Sequence, residues 1–332
     1  MECVNRQALI VLRVLLAGNV ANVGYYLAKH LRRLGCDAVL ASIDRPAVSL
    51  LKPDVSTPWK NNKILTYWNY VKEIRNLSRD FDVVHLFFLS YQHAMLIPLL
   101  KYLEKKRVVV SCLGSDIRMG GLVRDLRKRS LMFVDKVLVA TPDLLNFTPL
   151  GTSAKWVVAP VDTEVFHPFK TELYDRFHDG ADYVLLHAPS RPELKGTEML
   201  FRAYELLKKK YSVKLMVKSN IPHGEMPTYY NSVDVVLDEF KYHLLCYVSL
   251  EGMACEKPVI NSFSFWEYYE TSPPVLSAHT PRQIYLHLAM LLEDPELCKK
   301  LGKLGRAFVK KVYDANIVAK KILSFYREVT EM

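Results

Sequence analysis

Apolar residues along the chain fall into short Val- and Leu-rich runs separated by stretches with helical spacing, and this alternation recurs from residue 12 almost to the end. Residues 12–17 read as a strand, 18–22 as a turn, and 23–34 as a helix with Asn22 as its N-cap and Gly35 as its stop. A second strand is predicted at 37–42, and further strands at 83–88, 108–113 and 136–140, with helices over 92–104 and 121–133. Strands apolar at successive positions and separated by helices imply parallel βαβ units covered on both faces.

Over 160–182 the pattern gives way to Pro, Asp, Phe, His and Gly without periodicity, the mark of a linker. Alternation then restarts: strand 183–187, helix 197–209, strand 213–218, helix 226–231 and strand 233–237. Helix 248–255, strands 258–261 and 275–277, and helices opening at 281, 295 and 316 follow. The predicted fold class is α/β, with two Rossmann-like parallel-sheet domains, and 332 residues suit two domains of roughly 150 each. The expected bounds are 1–165, 166–314, and a last helix at 315–332 that returns to the first domain.

Charge alters this picture in the first half only. Residues 1–165 hold 23 Lys and Arg against 14 Asp and Glu, and the remainder 22 against 21, within a formal net charge of +10. Clusters such as Lys105, Lys106 and Arg107, or Arg124, Arg127, Lys128 and Arg129, suit phosphates, a polyanionic acceptor or anionic lipid headgroups; a solvated helix face is the plainer account. No zinc-finger, helix-turn-helix or RNA-binding pattern accompanies them, so no nucleic-acid partner is expected. The six cysteines, Cys3 among them, form no C-x-x-C pair and read as thiols of a reducing compartment. The apolar run 8–17 is broken by Arg13, is too short to span a bilayer, and is needed as a strand. The expected location is the cytoplasm, with the basic first half available to an anionic membrane.

Ligands of open parallel sheets bind beyond the carboxyl ends of the strands. Asp80 and Asp82 look like a metal-binding pair but precede their strand, so no metal is expected there. Gly18 and Gly24 flank a loop entering a helix, where backbone N–H groups approach an anion; a plain tight turn fits as well. The segment 186–197 leaves a strand, turns, and places Ser190, Arg191 and Lys195 ahead of a helix, which suits a diphosphate; a solvated loop is the alternative. Lys218, at the end of the strand 213–218, joins this set. His187, still on its strand, reads as a core histidine.

The Arg191-x-x-x-Lys195-Gly196 stretch resembles the Arg-x-x-x-Lys-Gly element of retaining glycosyltransferases of family 4, once called glycosyl transferases group 1. Ser249-Leu-Glu251-Gly-Met-Ala-Cys-Glu-Lys-Pro258-Val-Ile260 resembles that family's Glu-Ala-Met-Ala-x-Gly-x-Pro-Val-Ile signature. Asp82-Val-Val-His85, Gly114-Ser-Asp116-Ile-Arg118 and the segment Pro160 to Pro168 resemble further landmarks in the expected order. The resemblance implies a GT-B fold, two domains facing each other across a cleft, the first binding an acceptor and the second a nucleotide sugar. It implies that Arg191 and Lys195 hold the donor diphosphate and that Glu251 accepts hydrogen bonds from the ribose. Gly18, Ser190, Lys218, Leu244 and Leu245 complete the expected donor contacts. It further implies hexosyl transfer with retention, assisted by the donor phosphate, with no metal and no cofactor, to a glycan, lipid-linked or small-molecule acceptor.

Two positions depart from the family. Many members carry Glu eight residues before the ribose-binding Glu, where this chain has His243 within Tyr242-His-Leu-Leu-Cys246; many carry His where this chain has Leu113. The expected catalytic positions are therefore His243, Asp116 and His85, with His93 weighed beside them. Rival readings are a nucleotide-sugar-binding protein that has lost catalysis and a nucleotide-sugar epimerase.

Overall fold

The computed structural model describes residues 11–44, 50–118 and 120–331, with the side chains of 122–124 outside that description. Cys3, the start of the apolar run at 8–10, and the Arg124 side chain therefore lie outside the described residues. The described residues divide into two compact units, one built from those up to Val157 apart from Leu50 together with 319–331, the other from Leu50 and Val158–Val318.

The first unit holds strands β1 (Arg13–Ala17), β2 (Asp37–Asp44), β3 (Val55–Pro58), β4 (Val83–Phe87), β5 (Arg107–Cys112), β6 (Lys136–Val139) and β7 (Ala154–Trp156). They form one seven-stranded sheet in the order β3-β2-β1-β4-β5-β6-β7. Every pairing is parallel; Leu15 faces Val39 on one side and Val84 on the other. Runs such as Val108–Val110 are fully buried because helices cover both faces. One layer packs Leu15, Val84, Leu86 and Val110 against Leu96, Ile97 and Leu100, and against Val71 and Ile74 of helix Lys63–Ser78. The predicted helix over 92–104 is an α-helix Tyr91–Pro98 that passes into a π-helical turn Leu99–Leu103. Asp82 ties the amino edge: its carboxylate accepts from the Arg13 backbone N–H at 2.9 Å and from Arg13 Nη2 at 3.0 Å.

The last helix, Ala315–Glu331, contributes its residues from 319 onward to the first unit. The Tyr326 hydroxyl pairs with His85 Nδ1 on β4, and Lys136 Nζ at the start of β6 donates to Glu328 Oε1 at 2.6 Å.

The second unit holds β8 (Tyr183–His187), β9 (Val213–Val217), β10 (Val235–Leu237), β11 (Val259–Asn261) and β12 (Leu276–Ser277) in one parallel sheet of order β12-β11-β10-β8-β9. Leu185, Val235, Leu237 and Ile260 pack against Leu200, Ala203, Ile284 and Leu288 of the flanking helices. The aperiodic stretch at 160–182 belongs to this unit. Val161 donates to the Tyr313 carbonyl at 2.8 Å and accepts from Ala315 N at 2.9 Å, Phe166 is buried, and Leu173–His178 forms a short helix. From β8 the chain moves one way to β9 and then returns to the other side for β10. The carboxyl ends of β8 and β10 thus flank a reversal of strand order, the place where such sheets bind ligands.

Candidate functional site

At that reversal in the second unit β8 ends on His187, whose ring is spent inside the fold. Its Nδ1 pairs with the Leu237 carbonyl at 3.0 Å and its Nε2 with Thr197 Oγ1 at 2.8 Å, and burial lowers its pKa. The chain then makes one helical turn, Pro192–Lys195, with Arg191 extended at its N-cap, and leaves it through Gly196 at φ +72°. A Cβ at Gly196 would stand 2.8 Å from Phe240 Cβ, and Phe240 N donates to the Lys195 carbonyl at 3.0 Å. The glycine thereby brings the 191–196 loop against the segment that follows β10.

Lys195 consequently points inward, its Nζ 3.7 Å from Asp238 Oδ1. Burial disfavours its charge, but Asp238, Cys246 and Glu239 outweigh burial and hold the ammonium above the usual lysine range. Ser190, Arg191 and Lys218 are exposed, and Lys218 N continues the sheet by donating to the His187 carbonyl at 3.0 Å.

Asp238 and Glu239, the two residues directly after β10, build the remaining wall. Asp238 Oδ2 accepts from Ser249 N at 3.1 Å and Ser249 Oγ at 2.8 Å, which fixes the first turn of helix Tyr247–Ala254. Glu239 is fully buried; its carboxylate accepts from the backbone N–H groups of Lys241, Tyr242 and Leu244 and from Ser262 Oγ. It folds the 241–246 loop around itself, a role the sequence reading missed. The available signal was an adjacent acidic pair at the carboxyl end of a strand.

Within that loop His243 adopts φ +61°, a left-handed conformation uncommon for residues other than glycine. Its Nδ1 pairs with the Ser262 carbonyl at 3.1 Å, and its ring centroid lies 5.0 Å from that of His279. Leu244 and Leu245 are buried beside it.

Glu251 projects from the same helix as Ser249 and is buried, its Oε2 accepting from the Tyr230 hydroxyl at 2.8 Å. Burial pushes its carboxyl from 4.5 up to about 8, reinforced by the Asp238 charge and opposed by the Tyr230 hydrogen bond. The raised pKa favours the protonated carboxyl at neutral pH.

The structure brings Lys195, Leu244, Leu245, His243 and Glu251 to one edge of the second unit. Gly18, Asp116 and His85 belong to the first unit. Gly18 follows β1 at φ +99°, and a Cβ there would stand 3.0 Å from the Phe87 carbonyl oxygen. Gly24 supplies close packing, since its Cβ would come 2.6 Å from the Gly18 carbonyl oxygen. Asn22 stands at the N-cap position but is left-handed and makes no cap; its Oδ1 accepts from Leu51 N at 2.8 Å instead.

Asp116 is fully buried, and its carboxylate accepts from the backbone N–H groups of Leu89, Leu113 and Gly114 at 2.7–3.2 Å. His85 is also fully buried, its two nitrogens taken by Tyr326 and Ser111, and burial lowers its pKa to about 3. His93 pairs with the Tyr70 hydroxyl at 3.0 Å and the Phe88 carbonyl at 2.8 Å, its pKa lowered to about 4 by burial. Each of these three side chains meets its polar needs inside the fold.

No family model matches the sequence, and no curated protein sequence matches it. Solved structures do match along almost its whole length. Sucrose-phosphate synthase from Thermosynechococcus elongatus superposes with a TM-score of 0.72 at 15% identity, over 96% of this chain and 99% of that one. HepE from Anabaena in complex with UDP gives 0.70 at 11% identity, over 96% and 100%. The catalytic domain of starch synthase IV from Arabidopsis thaliana, bound to ADP and acarbose, gives 0.69 at 12% identity, over 97% and 100%. At such identities the likeness is one of architecture, and the architecture is the GT-B fold of two Rossmann-like parallel-sheet units.

Proposed function

We propose that the protein is a glycosyltransferase whose second unit binds a nucleotide-sugar donor at the carboxyl ends of β8 and β10, and whose first unit takes the acceptor. The observation that carries this reading is the convergence of Lys195 and Glu251 around Asp238, at the strand-order reversal where parallel sheets bind ligands. Two of the similar structures were solved with UDP or ADP bound, in keeping with a nucleotide ligand.

In this scheme Lys195, held charged by Asp238, and Arg191, exposed at the N-cap of its turn, grip the diphosphate. Negative charge accumulates on that diphosphate as the glycosidic bond breaks, so preorganised cations lower the barrier more than they strengthen ground-state binding. Glu251 meets the ribose hydroxyls. With the two cations at the leaving group, the transfer proceeds without a metal and with retention at the sugar carbon.

Donor titration and single-turnover transfer with Arg191→Ala and Lys195→Ala test the scheme, after circular dichroism has shown both variants folded. Loss of turnover in both supports it; wild-type affinity and rate in both would refute it. A second reading, a nucleotide-sugar-binding protein without turnover, is favoured by the internal use of His85 and Asp116. Tight donor binding with neither hydrolysis nor transfer would select it.

A further inference from the structure

Helices that cover a sheet normally turn a polar stripe to water. Tyr91–Leu103 in the first unit does not: its outward positions, spaced by four, three and four residues, are Tyr91, Met95, Pro98 and Tyr102. The neighbouring segment Leu122–Phe133 adds Leu126, Met132 and Phe133. Apart from Pro98, these side chains are each 48–64% exposed. Two contacts set the segments side by side: the Arg127 guanidinium lies 5.0 Å over the Tyr91 ring, and the Tyr102 and Phe133 rings meet edge to face at 6.2 Å. The result is one apolar surface with aromatic residues at both ends of the longer helix.

The charge around this surface is of both signs with a positive balance. Of the neighbouring carboxylates, Glu104 pairs with Arg75 at 2.7 Å, Asp135 with Lys101 at 2.8 Å, and Asp125 with Lys128 at 3.3 Å. Lys105 and Arg129 stand exposed beside the apolar groups. Tyr, Phe, Met and Leu projecting among Lys and Arg suit the headgroup region of an anionic bilayer, where rings and alkyl groups enter the acyl boundary and cations meet phosphates. A second copy of the chain would bring the same cations against themselves, which disfavours self-association through this face.

We infer that the face formed by Tyr91–Leu103 and Leu122–Phe133 docks the protein on membranes that carry anionic lipid. The inference does not rest on the glycosyltransferase reading, because it uses none of the residues placed at the donor.

Co-sedimentation of the full chain with vesicles of phosphatidylcholine alone, or of phosphatidylcholine and phosphatidylglycerol in equal parts, tests it. The expected result is binding to the mixed vesicles that weakens with salt and falls about tenfold or more in the double variant Met95→Glu, Phe133→Glu. Arg129→Glu should weaken it several-fold. All three positions are exposed, so the variants should keep the wild-type circular dichroism and melting temperature. Equal binding of wild type and double variant to the mixed vesicles would overturn the inference. So would no vesicle binding together with a dimer, seen by light scattering, that the double variant makes monomeric.

Discussion

The two sheets use the same apolar logic, yet the polar residues past their strands do different work. In the first unit Asp116 pins three backbone amides, His85 bridges Tyr326 and Ser111, and His93 bridges Tyr70 and the Phe88 carbonyl. In the second, Asp238 and Glu239 perform that internal duty, which leaves Arg191 and Lys218 exposed and holds Lys195 and Glu251 at the same edge. A polar residue after a strand is thus as readily scaffold as site. The distinction lies in whether its hydrogen-bonding capacity is consumed by the fold.

The strongest break of this contrast is Lys195→Ala. A preorganised cation at the departing diphosphate is expected to contribute about 10² or more in rate, so single-turnover transfer should fall by that factor. Arg191→Lys should also be impaired, because an ammonium cannot reproduce the planar fork.

Asp116→Ala should behave in the opposite way. Leaving the amides of Leu89, Leu113 and Gly114 without their shared acceptor should lower stability by about 3 kcal/mol in denaturant titration, while nucleotide affinity is unchanged. A loss of affinity without loss of stability would move Asp116 from scaffold to site.

Glu251→Ala should weaken nucleotide binding by about 1.5–3 kcal/mol by calorimetry. Because Glu251 is protonated before binding and accepts from ribose hydroxyls when ionised, nucleotide binding near neutral pH should release a proton. Calorimetry in buffers of different ionisation enthalpy would show it, and Glu251→Gln should abolish the release.

The pH dependence sharpens the comparison further. His85 and His93, lowered from 6.5 to about 3 and 4, stay neutral in the fold but charge in the unfolded chain. Their stabilisation is complete above 6.5 and is lost as the pH falls toward 4 and 3. Glu251, raised from 4.5 to about 8, runs the other way: its contribution is complete below 4.5 and is lost as the pH rises toward 8. Thermal melting should therefore show Glu251→Gln flattening the slope between pH 4.5 and about 8 and leaving the dependence below pH 4.5 as in wild type.

Most strands were legible because a buried parallel strand must be apolar at successive positions, as in Val108–Val110. Helix Lys63–Ser78 was not. Its buried face includes Thr66, Tyr70 and Ser78, while Ile64, Leu65 and Trp68 face outward, so the apolar period is scrambled. Strand β3 ends on Pro58 and β7 has three residues at the sheet edge, too little for either to register as a pattern. At the candidate site Lys195 and Glu251 were legible because each belongs to a local motif. Glu239 left only the acidic pair after its strand as a signal, because three of its four partners are backbone groups whose positions exist only once the loop has folded. The same applies to the protonation of Glu251, which depends on burial beside Tyr230 from a separate helix.

The hydrogen bond between His85 and Tyr326 joins residues 241 positions apart, and it lies at the centre of the first sheet. During synthesis at about 5–20 residues per second, β4 therefore waits roughly tens of seconds before this partner for His85 has been made. The stretch 158–318, by contrast, contains all five strands of its own sheet and can close before Tyr326 emerges. The half of the protein that begins first is thus the half completed last: its seven strands are all made by residue 156, but the sheet lacks the cover of its last helix while the second unit is being synthesised.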